Sequence, residues 1–261
     1  MSELPNCYRC GAQPCECSDG LTIYHGDCLD ILPLLEAGSV DMTMTDPPYG
    51  TTACEWDSII PLEPMWEQLK RVIKSNGAIV LMASQPFTTT LIASNMKMFK
   101  YCWVWRKERG VGFQVAKYCP MSETEDCVVF CNGKRKMATY NPQMIKLDEP
   151  KKESFASSKS DSSPLANVNN GSRIATHRHP KNVIEIKRDP SRIHPTQKPV
   201  ALMEYMIRTY TNEGEAVLDF CLGSGTTLRA CKDLGRRGVG IELEERYCEI
   251  AARRLEQGVL F

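Results

Sequence analysis

The sequence has no run of roughly 18 consecutive apolar residues, the length expected of a helix that crosses a membrane. Residues 1–6 contain neither a basic segment nor an apolar core, so no secretory signal is expected. The net charge is zero, with 32 basic and 32 acidic side chains, and the composition is neither collagen-like, coiled-coil nor disordered. These absences predict a globular protein of the cytosol that does not associate with membranes.

Cysteine, by contrast, is abundant. The chain has 13 cysteines, and an odd number without an export signal argues against a disulfide framework. Four of them lie close together at the N-terminus, at Cys7, Cys10, Cys15 and Cys17. Four thiolates in a short loop can close a tetrahedral zinc site, with His25 as a substitute for one ligand. Reduced free thiols and local redox chemistry are the alternatives.

Charge is unevenly distributed along the chain. Residues 97–200 carry 20 basic and 10 acidic side chains, whereas residues 1–96 carry 4 and 12. A basic middle region indicates a surface that faces an anion such as nucleic acid, and a solvated loop is the alternative.

Apolar segments of strand length alternate with segments of helical periodicity, which predicts an α/β protein with a mostly parallel sheet. The expected strands lie at 21–24, 40–45, 78–83, 101–105, 127–131, 216–220 and 239–241. The expected helices lie at 27–35, 62–73, after 83 to about 98, around 202–210, from 226, and near the C-terminus. Residues 132–192 lack clean periodicity and are interpreted as a long, partly mobile insertion. Trp103, Trp105 and Phe113 are expected in the core, and residues 106–114 are an alternative candidate for a mobile loop over the site.

Two segments follow strands at the edge where parallel sheets place ligand sites. In the first, Gly223 and Gly225 separate a strand from a helix, and Glu242 ends the next strand. Glycines allow close approach of a ligand, and the acid can accept hydrogen bonds from ribose hydroxyls. By itself this pattern fits a tight structural turn as well as a nucleoside site.

The second segment is the turn Asp46-Pro47-Pro48-Tyr49, which follows a buried strand. The prolines fix φ and remove two backbone donors, which makes the turn rigid and leaves a set of acceptors. Acceptors beside an aromatic plane suit a flat ring with an exocyclic NH2 group. A proline-stiffened turn with a capping aspartate is the structural alternative.

The segments TDPPYG (45–50), HPTQKP (194–199) and FCLGSGTT (220–227) together resemble the DNA amino-methyltransferases that use S-adenosylmethionine. Their order is similar to that of the circularly permuted β class. The short form of the chain, which ends soon after the last expected helix, is similar to solitary phage and prophage enzymes. The resemblance implies a Rossmann-like class I methyltransferase sheet of seven strands, with a basic target-recognition insertion. After the separate Cys-rich leader at 1–20, it implies a catalytic half at 21–131, the insertion at 132–192 and a cofactor-binding half at 193–261.

The resemblance also implies roles for individual residues. The catalytic turn matches Asp46, Pro47, Pro48 and Tyr49. The positions that match the cofactor site are Asp27, His194, Thr196, Lys198, Asp219, Phe220, Gly223, Gly225, Thr226, Thr227 and Glu242. Candidates for contact with double-stranded DNA in the insertion are Lys134, Arg135, Lys136, Arg173, Arg178 and Lys181. Dimers are common in the β class, but no interface is legible in the sequence.

Asp rather than Ser at the first position of the turn favours adenine-N6 over cytosine-N4 as the target in this family. RNA or protein-glutamine methylation, a dinucleotide-dependent oxidoreductase, and a DNA-binding protein with a non-catalytic cofactor site are the rival interpretations. The expected activity is therefore methylation of adenine N6 in DNA, in a restriction-modification or phage context.

Overall fold

The computed structural model describes residues 3–51, 58–133, 137–155, 171–190 and 197–256. The strands in this part of the chain are β1 (Leu21–His25), β2 (Val40–Thr45), β3 (Ile73–Ala83), β4 (Phe99–Val111), β5 (Ser122–Cys131), β6 (Ile145–Phe155), β7 (Gly171–Arg178), β8 (Val183–Glu185), β9 (Ala216–Asp219) and β10 (Arg237–Glu242). The helices are α1 (Cys28–Ile31), α2 (Leu62–Val72), α3 (Phe87–Ser94), α4 (Val200–Tyr210), α5 (Thr226–Asp233) and α6 (Glu245–Glu256). None of the described helices combines the length and the apolar character needed to cross a bilayer.

Eight strands form one sheet in the order β1-β10-β9-β2-β3-β5-β4-β8. The first five are parallel, and β5 runs antiparallel to both of its neighbours. The mostly parallel sheet predicted from the sequence is confirmed. Seven strands were expected, and the described part of the sheet has one more, β8. This three-residue strand pairs with residues 104–106 of β4 and is too short to show a sequence period.

The sheet is buried on both faces. Alternate residues of β3 point to opposite sides, with Val80 in one apolar cluster and Ile79 in the other. Helices α4, α5 and α6 cover the first face through residues such as Met206, and α2 and α3 cover the second through residues such as Trp66. Burial on both faces explains why β3 is continuously apolar from residue 78 to residue 83.

Residues 142–181 form a second compact unit. Its two described strands, β6 and β7, pair as an antiparallel hairpin with Lys146 opposite His177. Ala175 is buried, but most of the other described side chains in the hairpin are exposed. Exposure on both faces removes the apolar alternation by which a strand is recognised, and so the sequence of residues 132–192 gave no sign of this hairpin.

Two local expectations also need correction. The helix expected at 27–35 ends at Ile31 and continues as a 3-10 turn at Leu32–Leu34, because Pro33 lacks the N–H that a longer α-helix requires. Phe113, expected in the core, is 81% exposed, because it lies in a 3-10 turn beyond the end of β4. Most of the loop expected at 106–114 belongs to β4, whereas Trp103 and Trp105 are buried as expected.

The hydroxyl of Tyr210 provides a test of packing between α4 and β4. It accepts a hydrogen bond from Trp103 Nε1 (2.6 Å) and lies 3.0 Å from the hydroxyl of Tyr101. We expect Tyr210→Phe to lower the free energy of unfolding by about 1–3 kcal/mol, because a buried indole N–H then loses its acceptor. Urea unfolding checks this. Tyr118→Phe, at a side chain that is 89% exposed, is the matched control, and equal losses in both variants would contradict the assignment.

Candidate active site

Four acidic side chains meet at the carboxyl end of the parallel strands. Asp46 follows β2, Asp219 ends β9, Glu242 ends β10, and Asp27 lies two residues beyond β1. All four line one cavity of about 1210 Å³. Parallel strands bring their carboxyl ends to the same edge of a sheet, and so residues as far apart in the chain as Asp27 and Glu242 share one site.

The Asp46 carboxylate is held at both oxygens. Tyr49 donates its hydroxyl hydrogen to Oδ1 (2.6 Å), and Lys198 donates from Nζ to Oδ2 (2.7 Å). Burial raises the pKa of Asp46, and nearby Glu125 raises it further, while the ammonium of Lys198 opposes the rise. Burial also raises the pKa of Tyr49 well above its usual value, so its hydroxyl remains a hydrogen-bond donor at neutral pH.

The ring of Tyr49 has neighbours of its own. It stacks on Phe87 with centroids 5.4 Å apart and planes inclined by 22°. Lys198 Nζ lies 5.4 Å from the Tyr49 centroid, within the range of a cation–π contact. The aromatic plane expected from the sequence therefore belongs to a packed group, in which Lys198 contacts both the ring and the carboxylate.

A chain of buried charges continues from Asp46 into the protein. Lys198 also forms an ion pair with Glu125 Oε2 (3.1 Å), and the other oxygen of Glu125 pairs with Lys107 Nζ (2.5 Å). Burial alone would raise the pKa of Glu125, but the two lysines outweigh it and lower the pKa. For Lys198, the two carboxylates outweigh burial and raise the pKa, so the ammonium stays charged.

Sequence reasoning missed Glu125 and Lys107, and it placed Lys198 beside the methionine part of a cofactor. In the structure Lys198 lines the same cavity and contacts Asp46 directly. The sequence did contain a signal for both residues. Lys107 lies two positions after buried Trp105, and Glu125 lies two positions before buried Cys127. Side chains two apart on a strand share a face, so both charges were due to point inward.

The glycine loop is fastened to the next strand. Gly223 N–H donates to Glu242 Oε2 (2.7 Å), and Glu244 N–H donates to Oε1 (2.9 Å). Gly223 has φ +53°, and a Cβ there would meet nothing within 4 Å, which leaves room for a ligand against the backbone. Gly225 has φ +80° and serves packing, because a Cβ at this position would lie 2.8 Å from that of Ala251.

Arg254 of α6 supports the same loop from behind. Its buried guanidinium donates through Nη1 to the carbonyl oxygen of Ser224 (3.3 Å) and to Thr226 Oγ1 (3.0 Å). Sequence reasoning missed this residue too. Arg254 lies three residues after Ala251, on the apolar face of α6. This position indicated a buried charge, and a charge on a buried helix face requires partners.

Asp219, Phe220 and Thr227 line the same cavity as the glycine loop, and so does Asp27, on the turn after β1. Asp219 Oδ1 accepts from Cys221 N–H (3.1 Å), and burial raises the pKa of Asp219 to about 7 although the Thr227 hydroxyl opposes the rise. Asp27 caps α1 by accepting from Leu29 N–H (2.8 Å). Phe220, Thr226 and Thr227 are buried and also line the cavity.

Some predicted residues cannot be placed. His194 and Thr196, and the basic run Lys134, Arg135 and Lys136, lie outside the described residues. The other three candidates for DNA contact, Arg173, Arg178 and Lys181, belong to the 142–181 unit. Arg173 pairs with Glu153 on the facing strand (2.9 Å).

The raised pKa of Asp219 predicts a pH-dependent stability. The folded protein favours the neutral form of Asp219. The stability that this protonated carboxyl contributes is therefore fully present below its usual pKa near 4 and is lost as pH rises to about 7. Asn at position 219 stays neutral at every pH. We therefore expect the stability of Asp219→Asn minus that of the wild type to rise by roughly 3 kcal/mol as pH increases from about 5 to 7.

Urea unfolding across this range measures the difference between the two proteins. Asp30→Asn, the same substitution at an exposed carboxyl, controls for the loss of one acid. A constant difference between Asp219→Asn and wild type at all pH values would show that Asp219 is already ionised in the folded chain.

Comparisons with known proteins identify the family of this chain. The sequence profile of the N6/N4 DNA methylase family matches residues 40–253. The chain is 31% identical to the Type II methyltransferase M.HpaI of Haemophilus parainfluenzae, over 88% of this chain and 72% of the relative. It is 29% identical to the DNA adenine methyltransferase YhdJ of Escherichia coli K12, over 95% and 87% respectively.

Solved structures show the same fold. The crystal structure of the M1.HpyAVI–SAM complex aligns with a TM-score of 0.61 and 25% identity, over 90% of this chain and 99% of the other. The cytosine-N4-specific PvuII DNA methyltransferase aligns with a TM-score of 0.66 and 16% identity, over 93% and 88%. Because the family profile covers most of the chain, including both loops of the cavity, the chain belongs to the N6/N4 DNA methylase family.

Proposed function

We propose that the chain transfers a methyl group from S-adenosylmethionine to N6 of an adenine that has been flipped out of duplex DNA. The observation that carries this proposal is Asp46, a cavity carboxylate on the rigid Asp-Pro-Pro-Tyr turn that opens toward the glycine loop. Asp at the first position favours adenine. Cytosine N4 is the alternative within the family, and the relatives include both an adenine enzyme and a cytosine-N4 fold neighbour.

The cavity fits the cofactor. Gly223 leaves its backbone open to a ligand, and Glu242 offers carboxylate oxygens where ribose hydroxyls would bind. The cavity acids complement the positive sulfonium and ammonium groups. When bound, S-adenosylmethionine supplies a methyl group that its sulfonium has already activated, so no metal is required for the transfer. We assign Asp27, Asp219, Phe220, Thr226 and Thr227 to the remaining wall of this site.

The chain's own task is to make an aromatic NH2 group nucleophilic. Its lone pair is delocalised into the ring, and two acceptors on its N–H bonds localise it on nitrogen. We assign these acceptors to Asp46 Oδ1 and the carbonyl of Pro47, which also stabilise the positive charge that develops on nitrogen. The methylated nitrogen then loses one of its N–H protons, which Asp46 Oδ1 can accept. The prolines hold the acceptors in place before the base arrives, so little reorganisation is needed.

Tyr49 and Lys198 have complementary parts in this assignment. The Tyr49 hydroxyl occupies Asp46 Oδ1, and the incoming amino group replaces it there. Lys198 stays on Oδ2 and keeps the carboxylate ionised as an acceptor. The Tyr49 ring, supported by Phe87, then provides the surface against which the flipped base stacks.

We propose that the 132–192 segment, which follows the catalytic half (21–131) and precedes the cofactor half (193–261) in the sequence, recognises the DNA target. The 142–181 unit carries seven Lys or Arg and four Asp or Glu. We further propose the permuted β-class order of motifs, because the Asp46 turn precedes the glycine loop. We also propose that the protein acts in the cytosol of a bacterium or phage-infected host, where the DNA lies. A structural zinc ion is proposed below.

Product analysis tests the reaction. Purified protein, labelled S-adenosylmethionine and unmethylated DNA are incubated, and the nucleosides are identified by mass spectrometry. N6-methyladenine is the expected product. N4-methylcytosine would overturn the base assignment while keeping the reaction, and tight cofactor and DNA binding without any methylated nucleoside would favour a non-catalytic DNA-binding protein.

We expect Asp46→Ala to lower turnover about 100- to 1,000-fold, the cost of removing one preorganised group that stabilises the transition state. The affinity for S-adenosylmethionine, measured by calorimetry, should change by no more than a few-fold, because other residues form the assigned cofactor wall. Asp30→Ala, at an exposed carboxyl outside the cavity, is the control. Near-wild-type turnover of Asp46→Ala would refute the catalytic assignment.

The double variant Arg178→Ala/Lys181→Ala tests the DNA contact. We expect the plot of log affinity against log salt concentration to become shallower by about 1 for each phosphate contact that is lost. Fluorescence anisotropy with labelled duplex measures this slope. Lys70→Ala, exposed on α2, removes a cation elsewhere and should leave the slope unchanged. An unaltered slope in the double variant would place the DNA on another surface.

A further inference from the structure

The cysteines of the leader converge in space. The Sγ atoms of Cys7, Cys10, Cys15 and Cys17 all lie within 4.8 Å of one another. Cys7 and Cys17 are 4.0 Å apart at sulfur, and Cys10 and Cys15 are 3.8 Å apart. A zinc ion with four Zn–S bonds of about 2.3 Å requires sulfurs about 3.8 Å apart in a tetrahedron. The four thiols are therefore arranged almost as zinc would hold them.

The backbone around these thiols has the shape of a metal-binding knuckle. Gly11 follows Cys10 with φ +71°, and its N–H donates to the carbonyl of Cys7 (2.8 Å), which closes a tight turn. The N–H of Cys17 points at the sulfur of Cys15 (3.5 Å), a contact that stabilises a thiolate. His25 is directed elsewhere, with Nε2 3.1 Å from the carbonyl of Leu243, and the four sulfurs form the set without it.

The knuckle is attached to β1, which is an edge strand of the sheet. Tyr8 N–H donates to the Ile23 carbonyl (2.8 Å), and the Tyr8 side chain packs against the apolar cluster of the first face. Arg9 reaches Asp19 (2.7 Å) and the Leu21 carbonyl (2.7 Å). The guanidinium of Arg9 also interacts electrostatically with Cys7 and Cys17, where it offsets the negative charge of a zinc–tetrathiolate group.

We propose that Cys7, Cys10, Cys15 and Cys17 bind one structural Zn²⁺ ion that fixes the leader against β1. The zinc fixes the leader against this edge of the sheet and so supports the strand whose carboxyl end leads to Asp27 in the cavity. All four positions are protein thiolates, and such a closed set leaves no position for substrate. The role is therefore structural, independent of the reaction proposed above.

Metal analysis of the purified full-length chain tests the site. We expect one zinc per chain in the wild type and in Cys102→Ser, and less than a fifth of that in Cys10→Ser/Cys15→Ser. Cobalt(II) added to the metal-free wild type should give the intense visible bands of a tetrahedral thiolate complex. A metal-free protein with a disulfide among the four cysteines, or zinc that persists in the double variant, would overturn the proposal.

Thermal unfolding separates a structural zinc from a loosely held one. A strong chelator should lower the Tm of the wild type and of Cys102→Ser by several degrees, and added Zn²⁺ should restore it. The Tm of Cys10→Ser/Cys15→Ser should already be low and should not respond to the chelator. A chelator that removes the zinc from the wild type without changing the Tm would refute the structural role. These results do not depend on methyl transfer, so the site can fail or succeed separately from the proposed reaction.

Discussion

The parallel arrangement of β1, β10, β9 and β2 imposes the main constraint on this protein. It delivers four acidic side chains to one cavity, and like charges in a partly dehydrated space repel one another. Much of the surrounding structure consists of the groups that make this concentration of acids tolerable. The site is best understood from the different way in which each carboxyl group is stabilised.

Asp46 relies on a cation, Lys198, which Glu125 and Lys107 in turn hold in place. Glu242 relies on backbone N–H groups of the glycine loop and of the turn before α6, so binding the acid also shapes the loop. Asp27 caps a helix, whereas Asp219 is buried deeply enough that its pKa approaches neutrality. The repulsion among the four carboxyl groups is thus reduced in four ways: by a cation, by backbone donors, by a helix terminus and by protonation.

Residues whose place in the cavity follows from local sequence could be predicted. Asp46, Asp219 and Glu242 each come at the end of an apolar strand, and the parallel topology alone brings strand ends together. Gly223 and Gly225 stand between a strand and a helix, where tight turns occur. For these residues, local pattern and fold class were enough.

Residues whose role depends on distant partners could not be predicted in the same way. Lys198 contacts Asp46 across 152 positions, and Arg254 reaches Ser224 across 30. Their sequence neighbourhoods say only that a charge must find a partner, not which one. The β6–β7 hairpin escaped detection for a related reason, since strands exposed on both faces carry no apolar alternation.

The acid-rich cavity has a consequence for turnover. The four carboxyl groups line the cavity in which we propose that the cofactor, with its positive sulfonium, binds. Losing its methyl group turns the cofactor into a neutral thioether, while the positive charge passes to the target nitrogen and then leaves it as a proton. The electrostatic attraction from the cavity is therefore weaker after transfer than before it. The same side chains therefore attract the methyl donor more strongly than the demethylated cofactor, which favours replacement of the product by a fresh cofactor molecule.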